Sequence, residues 1–262
     1  MKIILHRPVE GEVKTLTVKH EPSGKWYAVF ACEVESKLIE GRLPAVGVDF
    51  GLKSIVALSD GTTIEAPQYY RRSEQRLARL QRIHSKRKLR SKNREKARVA
   101  VAKLSEKVSN QRRDFLNKVA RSIVNRYERV YIEDLETANL KRNKHLSKSI
   151  SDAGWRILRH TLTYMAERSE GMMVCVAPQY TSQICSGCGG LVPKTLDVRT
   201  HHCPHCGLVL DRDVNAARVI LRKGILLERQ ESTPVETRPL LSQMAVTQVG
   251  SMNQEATQLV GW

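Results

Sequence analysis

Two C-x-x-C pairs, Cys185/Cys188 and Cys203/Cys206, constrain this chain more tightly than anything else in its sequence. Each pair can present two thiolates to one tetrahedral ion, and the fourteen residues between Cys188 and Cys203 let the second knuckle fold back on the first. In a reducing compartment that pattern means structural Zn²⁺ rather than disulfides. The other two cysteines, Cys32 and Cys175, stand alone in apolar, strand-like surroundings and read as buried free thiols. His201, His202 and His205 flank the second knuckle; four cysteines already close the site, so these histidines are expected to be exposed or to face nucleic acid. Five residues after Cys206 comes Asp211-Arg212-Asp213, leading into an alanine-rich segment of helical character. A metal-stapled loop therefore delivers a carboxylate to a helix start.

Charge sets the partner. The chain has a formal net charge of +17 over 262 residues, a length suited to two or three units. Residues 71–126 hold 20 Lys and Arg against Glu74, Glu95, Glu106 and Asp114, a net of +16. Too few acids are present for i,i+4 pairing to account for this, so a polyanion is the expected partner, nucleic acid before a membrane surface. No apolar run approaches the roughly 18 residues of a spanning helix, and the chain is expected to be soluble and cytoplasmic. Its oligomeric state is not indicated.

Along the chain, residues 1–36 alternate as strands (M-K-I-I-L-H, V-K-T-L-T-V, K-W-Y-A-V-F-A-C-E-V) separated by P-V-E-G and E-P-S-G turns. Ala45–Val48 is an apolar strand ending on Asp49; Ile55–Leu58 returns as a second strand, and Asp60-Gly61 turns into a third. Residues 69–127 read as a helical hairpin, with Leu77, Leu80 and Ile83 on one stripe and Leu104, Val108, Phe115, Val119 and Ile123 on the other. R-V-Y-I-E-D-L at 129–135 repeats the earlier pattern, an apolar strand ending in Glu133-Asp134. Residues 138–150 read as a basic polar loop. Ser151-Asp152 opens a helix bearing Trp155, Leu158, Leu162 and Met165, where Trp155 and Tyr164 read as packing, and Met172–Val176 is a further strand.

A carboxylate at the end of a buried strand is costly unless it binds a cation or accepts hydrogen bonds; on the plainer reading Asp49 caps a turn. In an open α/β sheet the strand ends at Asp49 and Glu133 and a helix start at Asp211 or Asp213 converge on one edge, where ligands bind. Carboxylates gathered there repel unless hard cations hold them. Two Mg²⁺ ions so bound clamp the attacking and leaving oxygens of a phosphodiester. Beside the basic hairpin, this predicts a nuclease.

The motifs V-G-V-D-F-G-L-K, V-Y-I-E-D-L, S-D-A-G-W, T-S-Q-x-C-S-x-C-G, C-x-x-C-G and D-R-D-V-N-A-A, in this order, resemble TnpB, also called OrfB, a family of transposon-encoded RNA-guided nucleases related to the type V CRISPR effectors. The resemblance covers roughly residues 1–225. It implies an RNase H-like RuvC domain, a mixed α/β sheet with a long basic helical hairpin, interrupted by a zinc ribbon that recognises nucleic acid. It selects Asp213 over Asp211 and implies that Asp49, Glu133 and Asp213 form a catalytic, Mg²⁺-binding triad, with Asp134 and Asp211 in supporting or capping roles. The implied boundaries are a wedge-like β remnant at 1–36, the first part of the RuvC core at 44–178, a zinc-binding insert at 179–208, the last core helix at 209–226 and a flexible tail at 227–262. DNA and a transposon-derived guide RNA are the implied partners. Met1 falls where the last wedge strands of the family would be, so the chain is expected to be N-terminally truncated. The alternative reading is a catalytically silent or accessory nucleic-acid-binding protein of the same transposon. An actin-like ATPase shares G-x-D-x-G after a strand but would need a second phosphate-cradling loop, which the sequence lacks.

Overall fold

Two apolar runs lie side by side and parallel at the centre of a five-stranded sheet: β3 (Leu43–Asp49) and β6 (Tyr127–Glu133). The computed structural model describes residues 3–5, 8–135, 147–195 and 198–232; most of the expected basic loop at 138–150 and residues 233–262 of the expected tail lie outside the described residues. The chain divides into two units, Met1–Gly224 and Ile225–Trp262, of which the first carries the fold described below.

On one side of β3, the strands β4 (Ser54–Leu58) and β5 (Thr63–Glu65) continue antiparallel; on the other, β7 (Met172–Val176) runs parallel to β6. The order β5-β4-β3-β6-β7 makes the sheet mixed. Gly61, at φ +97°, permits the β4–β5 turn, and Asp60 Oδ1 accepts the Thr62 N–H at 2.7 Å. Val46, Val48, Val130 and Ile132 are fully buried, as parallel strands covered on both faces require.

Helices supply both covers. α1 (Tyr69–Lys86) and α2 (Lys92–Arg126) form the expected hairpin. The short α3 (Ser147–Ala153) leads through left-handed Gly154 into α4 (Trp155–Arg168). Leu116, Val119 and Ile123 of α2 and Leu158, Leu162 and Ala166 of α4 pack on the sheet face that carries Val46, Val48, Val130 and Ile132. Strand alternation turns Gly47 and Tyr131 to the opposite face, where α5 (Arg212–Ser232) lies. A Cβ on Gly47 would collide with the Ala217 carbonyl, so helix and sheet meet there backbone to backbone; one on Gly224 would collide with the Tyr131 ring, which packs directly on the helix backbone.

α1 has an unusual start. Gln68 sits at φ +52° and offers no side-chain cap; the orphan N–H groups of Tyr70 and Arg71 donate instead to the carboxylate of Asp152, at 3.0–3.3 Å. Arg112 of α2 pairs with the same carboxylate at 3.8 Å, so Asp152 ties the base of the hairpin to α3. Of the hairpin stripes read from sequence, Val108, Val119 and Ile123 are buried, whereas no residue of α1 is.

The N-terminal region forms a two-stranded ribbon, β1 (Glu12–His20) and β2 (Trp26–Glu33). Of the strand expected at the start of the chain, residues 3–5 are described, and they form no strand. Tyr27 Oη and Lys25 Nζ donate to Glu106 of α2, at 2.6 and 3.3 Å, and anchor the ribbon to the hairpin. Among the described residues no helix is long and apolar enough to cross a membrane.

Candidate active site and metal centre

The parallel register of β3 and β6 pairs Val48 with Ile132, so the next step along each strand sets Asp49 beside Glu133 at the carboxyl edge. Glu133 is itself paired with Val176 of β7. The third acid arrives from the other direction. Seating α5 on Gly47 brings its first turn over the loop after Asp49, and Asp213 Oδ2 lies 3.8 Å from where a Cβ on Gly51 would stand. Asp49 is half-buried. Its pKa is pushed well above the usual carboxylate range, by burial first and then by the negative charges of Glu133, Asp213 and Asp211, which outweigh Arg212. The structure thus gathers the three acids named from sequence.

Glu133 and Asp213 are each held through one carboxylate oxygen. Glu133, 9% exposed, accepts a hydrogen bond at Oε1 from the hydroxyl of Thr181, itself 3% exposed. Burial raises the Glu133 pKa, and the Thr181 hydroxyl and the Lys223 ammonium oppose the rise. Lys223 Nζ donates to the carbonyls of Ala177 and Gln179, at 3.1 and 2.6 Å, and so fixes the turn after β7 on which Thr181 depends. Arg212 grips Asp213 through Oδ1 alone, with both contacts at 2.9 Å. Asp211 accepts the N–H groups of Asp213 and Val214 at 2.9 and 3.1 Å and is the helix cap. Asp134 turns outward to Arg159, at 2.7 Å. Trp155 is buried, and its indole N–H donates to the Gly51 carbonyl at 3.1 Å, tying α4 to the loop after Asp49.

The four knuckle cysteines come together. Their Sγ atoms all lie within 4.8 Å of one another, with Cys185–Cys206 at 3.7 Å and Cys188–Cys203 at 3.6 Å. Zn–S bonds of about 2.3 Å in a tetrahedron require S–S edges of about 3.8 Å, and a disulfide requires about 2.05 Å, so the set fits Zn²⁺. Among the described residues these are the ligating side chains drawn into one such cluster; the three carboxylates are adjacent without being so tightly drawn. Gly189 and Gly207, at φ +80° and +73°, close the knuckles and return N–H groups to the Cys185 and Cys203 carbonyls. Burial would raise the Cys185 thiol, but the N–H groups of Cys188 and Gly187 and the His201 ring bring its pKa down, as suits a metal thiolate. Asn215, fully buried, takes the Ser186 N–H at 2.9 Å and donates to the Ile184 carbonyl at 2.8 Å, clamping the first knuckle to α5.

Two expectations are corrected. His201 is fully buried, with Nδ1 against Lys194 Nζ; in the ribbon of β8 (Thr200–His202) and β9 (Val209–Asp211) alternation turns one of two adjacent histidines inward, and only His202 and His205 are exposed. Tyr164 is 52% exposed and does not pack in the core, because it falls on the outer face of α4. Sequence reading also passed over Thr181, Lys223 and Asn215. Thr181 stood inside the quoted T-S-Q motif, but nothing in the pattern connected it to Glu133.

Comparison with known proteins adds the following. The family OrfB_IS605, described as a probable transposase, matches residues 30–144, and the Cas12f1-like TNB domain matches residues 155–220. A putative RNA-guided DNA endonuclease of Streptomyces pristinaespiralis is 39% identical over 220 residues, covering 83% of this chain and 54% of the relative. The putative RNA-guided DNA endonuclease InsQ of Escherichia coli (strain K12) is 33% identical over 235 residues, covering 83% and 58%. The chain therefore spans about half the length of the curated relatives it matches. Among solved structures, a Cas12f1 in complex with sgRNA and target DNA superimposes with a TM-score of 0.51 at 19% identity, over 80% of this chain and 56% of that one, a likeness of fold.

Proposed function

We propose that this chain, which belongs to the TnpB/OrfB family, is a metal-dependent DNA endonuclease with a RuvC domain of RNase H-like fold in which Asp49, Glu133 and Asp213 are the catalytic carboxylates. The observation that carries the reading is the convergence of two parallel strand ends and one helix start, with the charges of Glu133 and Asp213 raising the pKa of Asp49. Mutual repulsion of that kind is what hard cations relieve, and oxygen donors alone suit Mg²⁺. Two Mg²⁺ ions held by these acids would neutralise charge on the leaving oxygen and lower the pKa of an attacking water.

The chain's own residues do the positioning. Asp49 and Glu133 offer oxygens from adjacent strands, and Thr181 engages Oε1 of Glu133, which leaves Oε2 for a ligand. Arg212 holds Oδ1 of Asp213 and leaves Oδ2 facing the Gly51 loop. The four cysteines form a closed structural Zn²⁺ site with no open position for chemistry, and Asn215 couples that site to the helix that carries Asp213. DNA is the proposed substrate and a transposon-derived RNA the proposed guide, a reading supported by the names of the relatives and by the basic hairpin.

The test compares wild type with Asp49→Ala, each purified with the RNA it retains, on supercoiled and single-stranded DNA in Mg²⁺. Cleavage by wild type and loss of at least about 100-fold in Asp49→Ala is the expected result. Undiminished cleavage by Asp49→Ala sinks the catalytic assignment. Binding without cleavage by either protein favours an accessory nucleic-acid-binding role.

A further inference from the structure

We infer that His201 is a hydrogen-bond donor to the zinc-bound Cys185 thiolate, its ring held in the donating tautomer by Lys194. The inference rests on the structural-zinc reading of the cysteine cluster and goes beyond it, since neither His201 nor Lys194 belongs to the ligand set.

The ribbon places the ring. β8 pairs His201 with Leu210 of β9, and alternation sends the imidazole inward, where it is fully buried. A buried polar group without a partner is costly, so both ring nitrogens need one. Nδ1 meets Lys194 Nζ. Nε2 is sealed from solvent and meets no oxygen or nitrogen partner among the described residues. What remains for it is sulfur, and the ring is hydrogen-bonded to Cys185.

Lys194 decides which nitrogen carries the proton. An ammonium donates and cannot accept, so the nitrogen it touches is the one with the lone pair. The proton then lies on Nε2, where the thiolate accepts it. Lys194 is itself anchored: Nζ donates to the Ser182 carbonyl at 3.1 Å, and the nearby Val192 N–H donates to the Gln183 carbonyl at 2.9 Å, laying this part of the loop beside the first knuckle. Burial and the Arg212 charge disfavour the ammonium, and the Cys185 and Cys203 thiolates favour it. Zn²⁺ held by four thiolates leaves negative charge in excess, which adds to the favourable side.

The need for this donor is local to Cys185. Cys188 and Cys206 are exposed, so water can solvate their sulfurs, whereas Cys185 and Cys203 are fully buried. The knuckles serve those two alike, Cys185 through the N–H groups of Gly187 and Cys188, and Cys203 through those of His205 and Cys206. The imidazole breaks the symmetry and gives Cys185 a third donor. A thiolate that shares its charge with a donor is harder to protonate and leaves the metal more slowly. His201 is thus a positioning residue that slows the loss of zinc from the first knuckle.

The experiment uses the full chain and begins with its zinc content. A chain that binds no zinc overturns both the zinc reading and this inference; a zinc-bound chain in which His201 is no donor overturns the inference alone. With NMR-active cadmium in place of zinc and isotope-labelled histidine, NMR reads the tautomer and any coupling between the metal and the Nε2 proton, with His201 assigned by its loss in His201→Phe. The expected result is a protonated Nε2, a bare Nδ1 and a resolved coupling. Zinc transfer to a chromogenic chelator is then timed. Release is expected to be about ten-fold faster in His201→Phe and within about three-fold of wild type in His201→Gln, whose amide N–H replaces the Nε2 donor. Lys194→Met is expected to weaken the coupling and speed release, and Lys194→Arg to preserve both. A proton on Nδ1, no coupling in the metal-loaded chain, or equal release from His201→Phe and His201→Gln each overturns the inference.

Discussion

Glu133 has one hydrogen bond that orders it and a burial that opposes its charge, and the balance between them sets how readily it can hold a cation. Its raised pKa reverses the usual linkage of carboxylates to stability. Between the ordinary pKa of Glu, about 4.3, and the raised folded value, the native state keeps a proton that the unfolded chain releases, so this group's contribution is full at low pH and is lost as pH rises through the folded pKa. Removing the Thr181 hydroxyl takes away the leading interaction that offsets burial. Thr181→Ala is therefore expected to raise the Glu133 pKa further, to shift the acid limb of the cleavage–pH profile upward, and to increase the Mg²⁺ needed for half-maximal rate by about 10–100-fold. Thr181→Ser, which keeps the hydroxyl, restores both. A pH profile unmoved in Thr181→Ala would show that the hydroxyl only packs. The Thr181–Glu133 contact spans 48 residues of sequence, and no local pattern announces a hydrogen bond between a strand end and a distant turn. The positions of Asp49 and Glu133, by contrast, were legible, because a run of apolar residues stopping at an acid marks the end of a buried parallel strand.

At the scale of elements, α5 joins two structures that could otherwise move apart, the sheet and the zinc ribbon. It meets the sheet backbone to backbone at Gly47 and against the Tyr131 ring at Gly224, and the ribbon through Asn215. Asn215→Ala would leave the Ser186 N–H and the Ile184 carbonyl without their partner, a cost of about 1–3 kcal/mol for each buried group left unpaired. The expected outcome is a lower Tm with zinc content unchanged, and faster hydrogen exchange at the Ser186 amide. Unaltered exchange there would mean that zinc alone fixes the knuckle. The knuckles themselves were legible from cysteine spacing, as was the hairpin from its stripes. The seating of α5 was not, since glycines are silent in a hydrophobic pattern and the helix they meet lies far along the chain. The Asp152 cap on α1 escaped for the same reason: donor and acceptor are 82 residues apart.

Across the whole molecule, charge is sorted by place. Asp49, Glu133, Asp211 and Asp213 lie close together at the carboxyl edge of the sheet, and the largest excess of cations lies on the hairpin. α2, 35 residues and about 52 Å long, buries its C-terminal half against the sheet and presents a basic N-terminal half that meets the β1–β2 ribbon. Composition made the excess of cations over residues 71–126 legible. The central claim is that Asp49, Glu133 and Asp213, brought from three elements, form one divalent-cation site. Manganese, which favours the same carboxylate ligands, reports this directly by electron paramagnetic resonance of the full chain with its zinc retained. The account predicts that Mn²⁺ bound tightly by wild type is lost in Asp49→Ala and in Asp213→Ala, with zinc content unchanged. Mn²⁺ bound by Asp213→Ala with the same stoichiometry and affinity as wild type would contradict it.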